Sequence, residues 1–182
     1  MNRSAIEAMR FAIQAHSGQV RKYTGEPYWK HLAEVAGIVA TATGEQHMIT
    51  AAWLHDVVED TEVRLADVHD NFGYEVARLV SGLTDVSKPA DGNRERRKAI
   101  DRLHIANGCH RVQTIKCADL ISNTGSIVVH DKEFARVYLK EKRALLEVMD
   151  KADPDLLAAA WKVWADAVAL LSGERSDDGG AA

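Results

Sequence analysis

The sequence predicts a single all-α domain, and three observations carry that expectation. Apolar residues recur every three or four positions along most of the chain, the period of helices with one buried face. No stretch alternates apolar and polar residues as a half-buried strand does. The 182 residues, 46% apolar and 27% charged, suffice for one sizeable core without demanding a second. The domain is expected over residues 1–172, with the polar, glycine-rich residues 173–182 as a disordered tail.

Ser4 can cap a first helix with Ile6, Met9, Phe11, Ala12 and Ile13 as its apolar face, ending near Gly18. Residues 19–28 hold Gly25, Pro27 and the adjacent cations Arg21 and Lys22, a turn-rich loop that delivers His31. Leu32, Val35, Ile38 and Val39 mark a second helix that stops at Gly44, and Met48, Ile49, Ala52 and Trp53 begin a third, central one. Leu65, Val68 and Phe72 make a short helix closed by Gly73, followed by a helix on Val76, Leu79, Val80 and Leu83. Residues 87–98 read as a mobile loop, with Pro89 and Gly92, that runs into a basic helix start at Arg94, Arg96, Arg97 and Lys98 and continues through Ile100, Leu103 and Ile105 to Gly108. A helix over residues 110–125 buries Val112, Ile115, Ala118 and Ile121 and carries Lys116, Asp119 and Asn123 along a second stripe. Two long helices finish the chain, one on Val137, Leu139, Leu145, Leu146 and Met149, the other after Pro154 on Leu156, Leu157, Trp161, Trp164, Val168 and Leu171; their stripes suit core or a homodimer contact.

Bulk properties exclude some functions. A formal net charge of −4 argues against a general nucleic-acid coat and leaves room for a small anion held by local cations. Cys109 and Cys117 belong to no paired motif, which together with the absence of a signal-like start reads as reduced cytoplasm. No apolar run is expected to reach the roughly 20 residues of a membrane helix.

The chemistry concentrates at the end of the central helix. There Leu54 leads into His55, Asp56, Val57, Val58, Glu59 and Asp60. Ionisable side chains beside a core lose hydration unless partnered, and a divalent cation satisfies imidazole and carboxylate together. On this helix His55 and Asp56 are expected about 100° apart, with Glu59 stacked over His55 and Asp60 over Asp56 one turn later. A solvated helix end with a coincidental His-Asp pair is the bland alternative, and the full pattern behind an apolar run weighs against it. His31, His55, Asp56 and Asp119, from three separated segments, would suit one hard to borderline divalent ion with positions left for water and substrate. Glu59 and Asp60 could then orient and deprotonate the attacking water, while Arg21, Lys22, Lys116 and loop cations hold phosphates.

Four segments together resemble the RelA/SpoT-type hydrolase branch of the HD superfamily: residues 19–22 (Gln-Val-Arg-Lys), 25–31 (Gly-Glu-Pro-Tyr-Trp-Lys-His), 55–61 (His-Asp-Val-Val-Glu-Asp-Thr) and 116–123 (Lys-Cys-Ala-Asp-Leu-Ile-Ser-Asn). The likeness spans roughly residues 4–150 and points to the stand-alone small alarmone hydrolases, the metazoan SpoT homologue among them. It implies a manganese-dependent enzyme, or one using another divalent ion, that removes the 3′-pyrophosphate of guanosine tetra- or pentaphosphate. It further implies His31, His55, Asp56 and Asp119 as metal ligands, Glu59 and Asp60 as the catalytic pair, and Arg21, Lys22, Asn123 and Tyr138 along the nucleotide pocket. Leu32 stands where the family commonly has Pro, and Val20 where it often has Arg, which bears on base selectivity and not on the metal. Another HD nucleotide phosphohydrolase, or a degenerate HD module that binds without turnover, are the competing readings. The intact Glu59-Asp60 pair argues against the second, because binding alone needs no water-activating carboxylates.

Overall fold

The computed structural model describes residues 4–177. Among them are ten α-helices and one turn of 3-10 helix, with no strand; Val20 and Pro27 form an isolated antiparallel bridge. In chain order the helices are α1 (Ala5–Ala15), α2 (Trp29–Ala42), α3 (Gln46–Leu54), α4 (Val57–Asp60), α5 (Leu65–Phe72), α6 (Tyr74–Leu83), α7 (Arg94–Asn107), α8 (His110–His130), α9 (Lys132–Leu146) and α10 (Pro154–Asp177). The expected all-α architecture is therefore what the chain adopts.

The core is built around α3 and α8. Met48, Ala51, Ala52 and Leu54 of α3 are buried, and the helix packs on α1, α2 and α6. The small side chains of Ala51 and Ala52, with Ala8 and Ala12 of α1, let these backbones approach closely. On the other side α8 packs on α2, α9 and α10. Each fully buried Leu or Val in this interior contributes roughly 1.5–3 kcal/mol by leaving water. Two glycines have specific work. Gly73 adopts φ 84° where α5 stops and α6 starts, a conformation unfavourable for other residues. At Gly82 a Cβ would sit 2.7 Å from Val112 Cγ2, so its bare Cα sets the approach of α6 to α8.

Several expectations are corrected. Ile6, Leu65, Leu103 and Val137 lie exposed; the apolar stripes are wider than the arc of each helix that reaches the core. α8 does not stop at Gly125 but continues to His130, since a helical glycine costs only about 1 kcal/mol and the packing of α8 against α9 offsets it. The loop expected from Ser87 is tied down at its start: Asp101 of α7 accepts from the Val86 and Ser87 N–H groups at 3.1 and 2.9 Å and from Ser87 Oγ at 2.9 Å. α10 is, over Pro154–Gly173, long and apolar enough to cross a membrane by length and composition, with mean hydropathy 1.3, contrary to the expectation that no run is. Here it packs on α8 and α9, burying Leu156, Ala160, Ala167 and Leu171, and Trp164 Nε1 donates to Leu139 O at 2.9 Å. Gly173–Asp177, expected in the tail, continue α10; the rest of that tail, residues 178–182, lies outside the described residues.

Candidate active site

Three elements bring their polar residues to one point. His31 lies in the first turn of α2, His55 and Asp56 form the junction between α3 and α4, and Asp119 sits midway along α8. His31 Nε2 is 3.6 Å from Asp56 Oδ2 and 3.4 Å from Asp119 Oδ1, and His55 Nε2 is 3.0 and 3.8 Å from the same two oxygens. Both imidazoles are buried. The expected continuous helix through His55 and Asp60 is not found. Asp56, at φ −101° and ψ −5°, interrupts it, and α4 starts afresh at Val57. The break serves the cluster: adjacent residues of an ideal helix diverge, whereas this turn brings the Asp56 carboxylate within 3.0 Å of the His55 ring.

The donor set fits a divalent cation. His55 Nδ1 lies 2.8 Å from Ala52 O, which can only accept, so Nδ1 carries the proton and neutral His55 presents a lone pair at Nε2. The Nε2 atoms of His31 and His55 are buried and have no hydrogen-bond partner. Buried polar atoms are rarely left so, and an ion bound by two imidazole nitrogens and carboxylate oxygens would supply the missing partner. Ligand atoms of His31, His55 and Asp56 lie within 4.8 Å of one another. Burial alone would depress both imidazoles, yet Asp119 and Asp56 outweigh it and raise them. Burial would likewise raise the two carboxyls, but His55 holds Asp56, and Lys116 holds Asp119, well below the usual carboxylate range. An ion and protons would compete for the same imidazole lone pairs.

Around the cluster lies a cavity of about 830 Å³. Its wall includes Tyr28, Asp56 and Asp119, the α4 carboxylates Glu59 and Asp60, the α7 cations Arg94, Lys98 and Arg102, and Phe134, Tyr138 and Lys142 of α9. Glu59 Oε2 accepts from Asp85 N at 3.3 Å; although the residue keeps exposed surface, partial burial of its carboxylate, then the Asp85 charge, raise its pKa. Asp60 is exposed and meets Gln19 Nε2 at 3.5 Å. Tyr138 lines the cavity, and its hydroxyl is buried without a hydrogen-bond partner.

The residues expected to bind substrate are distributed unevenly. Lys116 and Asn123 line the cavity, but both also hold Asp119: Lys116 Nζ donates to Oδ2 at 2.8 Å and Asn123 Nδ2 to Oδ1 at 2.6 Å. Arg21 and Lys22 are not part of the wall. Arg21 Nη2 donates to Asn123 Oδ1 at 3.0 Å and to Ser126 Oγ at 3.1 Å, so it reaches the site through α8. Lys22 is exposed, bonded to Tyr23 and near Asp131. Sequence reasoning missed Tyr28, whose hydroxyl donates to Asp56 Oδ2 at 2.7 Å. The available signal was its place three residues before His31. It also missed Ser122, one turn beyond Asp119, whose Oγ is 2.8 Å from His31 Nδ1.

Residues 8–144 match the model of the HD domain. The chain belongs to the HD-domain family. A probable guanosine-3′,5′-bis(diphosphate) 3′-pyrophosphohydrolase of Synechocystis sp. is 34% identical over 160 residues, 86% of this chain and 20% of that protein. The Danio rerio protein named guanosine-3′,5′-bis(diphosphate) 3′-pyrophosphohydrolase MESH1 is 34% identical over 121 residues, 65% of this chain and 66% of its own. Among solved structures, one described as a metazoan ortholog of SpoT that hydrolyzes ppGpp superposes with a TM-score of 0.81 at 25% identity, covering 89% of this chain and 94% of its own. This HD chain spans only about a fifth of the length of the long curated relatives from Synechocystis and Aquifex aeolicus.

Proposed function

We propose that this HD-domain chain is a manganese-dependent hydrolase that removes the 3′-pyrophosphate of guanosine 3′,5′-bis(diphosphate) or a related alarmone. The observation that carries the reading is the pair of buried, unpartnered imidazole nitrogens facing two carboxylates at the wall of a nucleotide-sized cavity. Relatives named for this hydrolysis support the choice of substrate.

In this reading His31, His55, Asp56 and Asp119 hold the ion, which when bound supplies a Lewis acid toward a phosphoryl oxygen and makes water a better nucleophile. Tyr28, Lys116 and Asn123 keep the two carboxylates aimed by donating to them. Glu59 or Asp60 takes a proton from the water that attacks the pyrophosphate phosphorus as the bond to the ribose 3′-oxygen breaks. The raised pKa of Glu59 moves it toward the range where a carboxylate best serves as base and then acid. Arg102 of α7 offers positive charge to phosphates, while Arg94 and Lys98 would have to exchange their present carboxylate partners, Glu141 and Asp85, for a phosphate. Arg21 acts from the rim through Asn123, and Lys22 supplies charge from outside the cavity. The free thiols Cys109 and Cys117 suit the cytoplasm, where such a substrate would be met.

The test is a product assay with manganese present, on guanine and adenine nucleotides carrying 3′-pyrophosphates and on ordinary nucleoside triphosphates. Pyrophosphate should be released from guanosine 3′,5′-bis(diphosphate). Turnover confined to ordinary nucleotides would overturn the reading in favour of another HD nucleotide phosphohydrolase, and binding without turnover would leave a binding module.

A further inference from the structure

Each of two candidate ligands has a polar residue one helical turn further on. Glu34 follows His31 on α2, and Ser122 follows Asp119 on α8. Because α2 and α8 pack together, these residues meet: Ser122 Oγ donates to Glu34 Oε2 at 2.7 Å and lies 2.8 Å from His31 Nδ1. Ser122 is buried beneath the exposed Glu34.

A hydroxyl has one hydrogen to give and lone pairs to receive. With that hydrogen committed to a carboxylate, which accepts only, Ser122 Oγ can only accept from His31. His31 Nδ1 must then carry its proton. In the neutral ring this leaves Nε2 with a free lone pair, and Nε2 is the buried, unpartnered atom that faces Asp56 and Asp119. His55 reaches the same state by a shorter route, through the Ala52 carbonyl. Among the described residues no backbone carbonyl is bonded to His31 Nδ1, so the hydroxyl and carboxylate do for it what the backbone does for His55.

We propose that Ser122 and Glu34 are positioning residues that fix His31 in its Nδ1–H tautomer and so direct Nε2 to the metal. The direction of the chain is set at its solvent end: a carboxylate above Ser122 orders every hydrogen below it. A donor in place of Glu34 would allow the opposite order, with the hydroxyl pointing at Nδ1 and the proton on Nε2, where it blocks coordination.

This inference rests on the metal reading of the site, and the experiment separates the two. Manganese affinity is measured on the full chain by titration calorimetry for the parent, His31→Ala, Ser122→Ala, Ser122→Thr and Glu34→Gln. Ser122→Ala should bind manganese about 10- to 100-fold more weakly. Ser122→Thr keeps the hydroxyl and should stay close to the parent, whereas Glu34→Gln brings an amide that can donate to Ser122 Oγ as well as accept from it, so the order is no longer fixed and affinity should fall between the parent and Ser122→Ala. In the zinc-loaded, ¹⁵N-histidine-labelled parent, the His31 imidazole proton should correlate with Nδ1. Equal affinity of Ser122→Ala and the parent, or a proton on Nε2 with coordination through Nδ1, would overturn the relay while leaving the metal site intact. A parent that binds manganese no better than His31→Ala would instead remove the metal reading on which it rests.

Discussion

Lys142 is a buried cation with no carboxylate within ion-pair distance among the described residues. Its side chain is almost wholly enclosed, and among the described residues Nζ donates to two neutral acceptors, Leu120 O at 3.1 Å and Thr124 Oγ1 at 2.5 Å. Burial pulls its pKa from the ordinary 10.5 down to about 8. That difference corresponds to about 3 kcal/mol against the charged form in the folded state. The sign follows from proton counting. Below pH 8 both folded and unfolded chains carry the charge, and the folded state bears the whole cost. Between about pH 8 and 10.5 the unfolded chain binds a proton that the folded chain has released, so stability rises with pH until the cost is gone. Lys142→Met removes the charge at nearly constant length. Thr124 Oγ1 still donates to Leu120 O at 2.6 Å, so no acceptor is stranded, and the lost hydrogen bonds offset about 1 kcal/mol of the gain. The variant should therefore be about 2 kcal/mol more stable at pH 7, a rise in Tm of roughly 4–8 °C. Thermal unfolding at pH 7 and pH 10, parent against variant, measures it. A variant less stable at pH 7, or an offset that stays constant to pH 10, would refute the reasoning. Because Lys142 lines the cavity, the same variant should also raise KM for an anionic substrate, which is the service that would justify keeping a costly charge there.

Asp119→Ala leaves Lys116 without its acceptor and the two imidazoles with one fewer opposing carboxylate; metal analysis after dialysis should find the ion lost, and full occupancy would exclude Asp119 as a ligand. Glu59→Gln and Asp60→Asn should each retain the ion and still bind substrate, while pyrophosphate release slows by about 10² to 10⁴ in whichever serves as base. Near-parental turnover in both, with metal content verified, would remove the pair from the chemistry. Gly82→Ala puts a Cβ 2.7 Å from Val112 Cγ2, and overpacking of about 1–3 kcal/mol should exceed the helix-propensity gain of up to about 1 kcal/mol; denaturant unfolding would show a lowered midpoint.

The helices were legible because each needs only a local pattern. Val35 and Val39, or Val76 and Val80, lie one turn apart on a single face, and Gly73 stops a helix by its own backbone freedom. The four candidate ligands were legible for a different reason. His, His, Asp and Asp beside apolar runs would be costly to bury without a shared cation, which made His31, His55, Asp56 and Asp119 candidates, and the resemblance of four segments to one family narrowed the choice to them. What sequence could not supply was direction. Periodicity assigned one unbroken helix to His55 and Asp60, whereas the fold breaks it at Asp56 so that neighbouring side chains converge. It also grouped Arg21 and Lys22 by adjacency, although one reaches Asn123 across more than a hundred residues and the other stays in solvent. Ser122 and Glu34 carry no recognisable spacing to each other, being 88 residues apart. Local interactions fix which residues share a helical face, because the backbone period is the same everywhere. Which faces meet, which proton points where, and whether a buried cation such as Lys142 finds a carboxylate depend on packing between distant segments, and only the tertiary structure decides that.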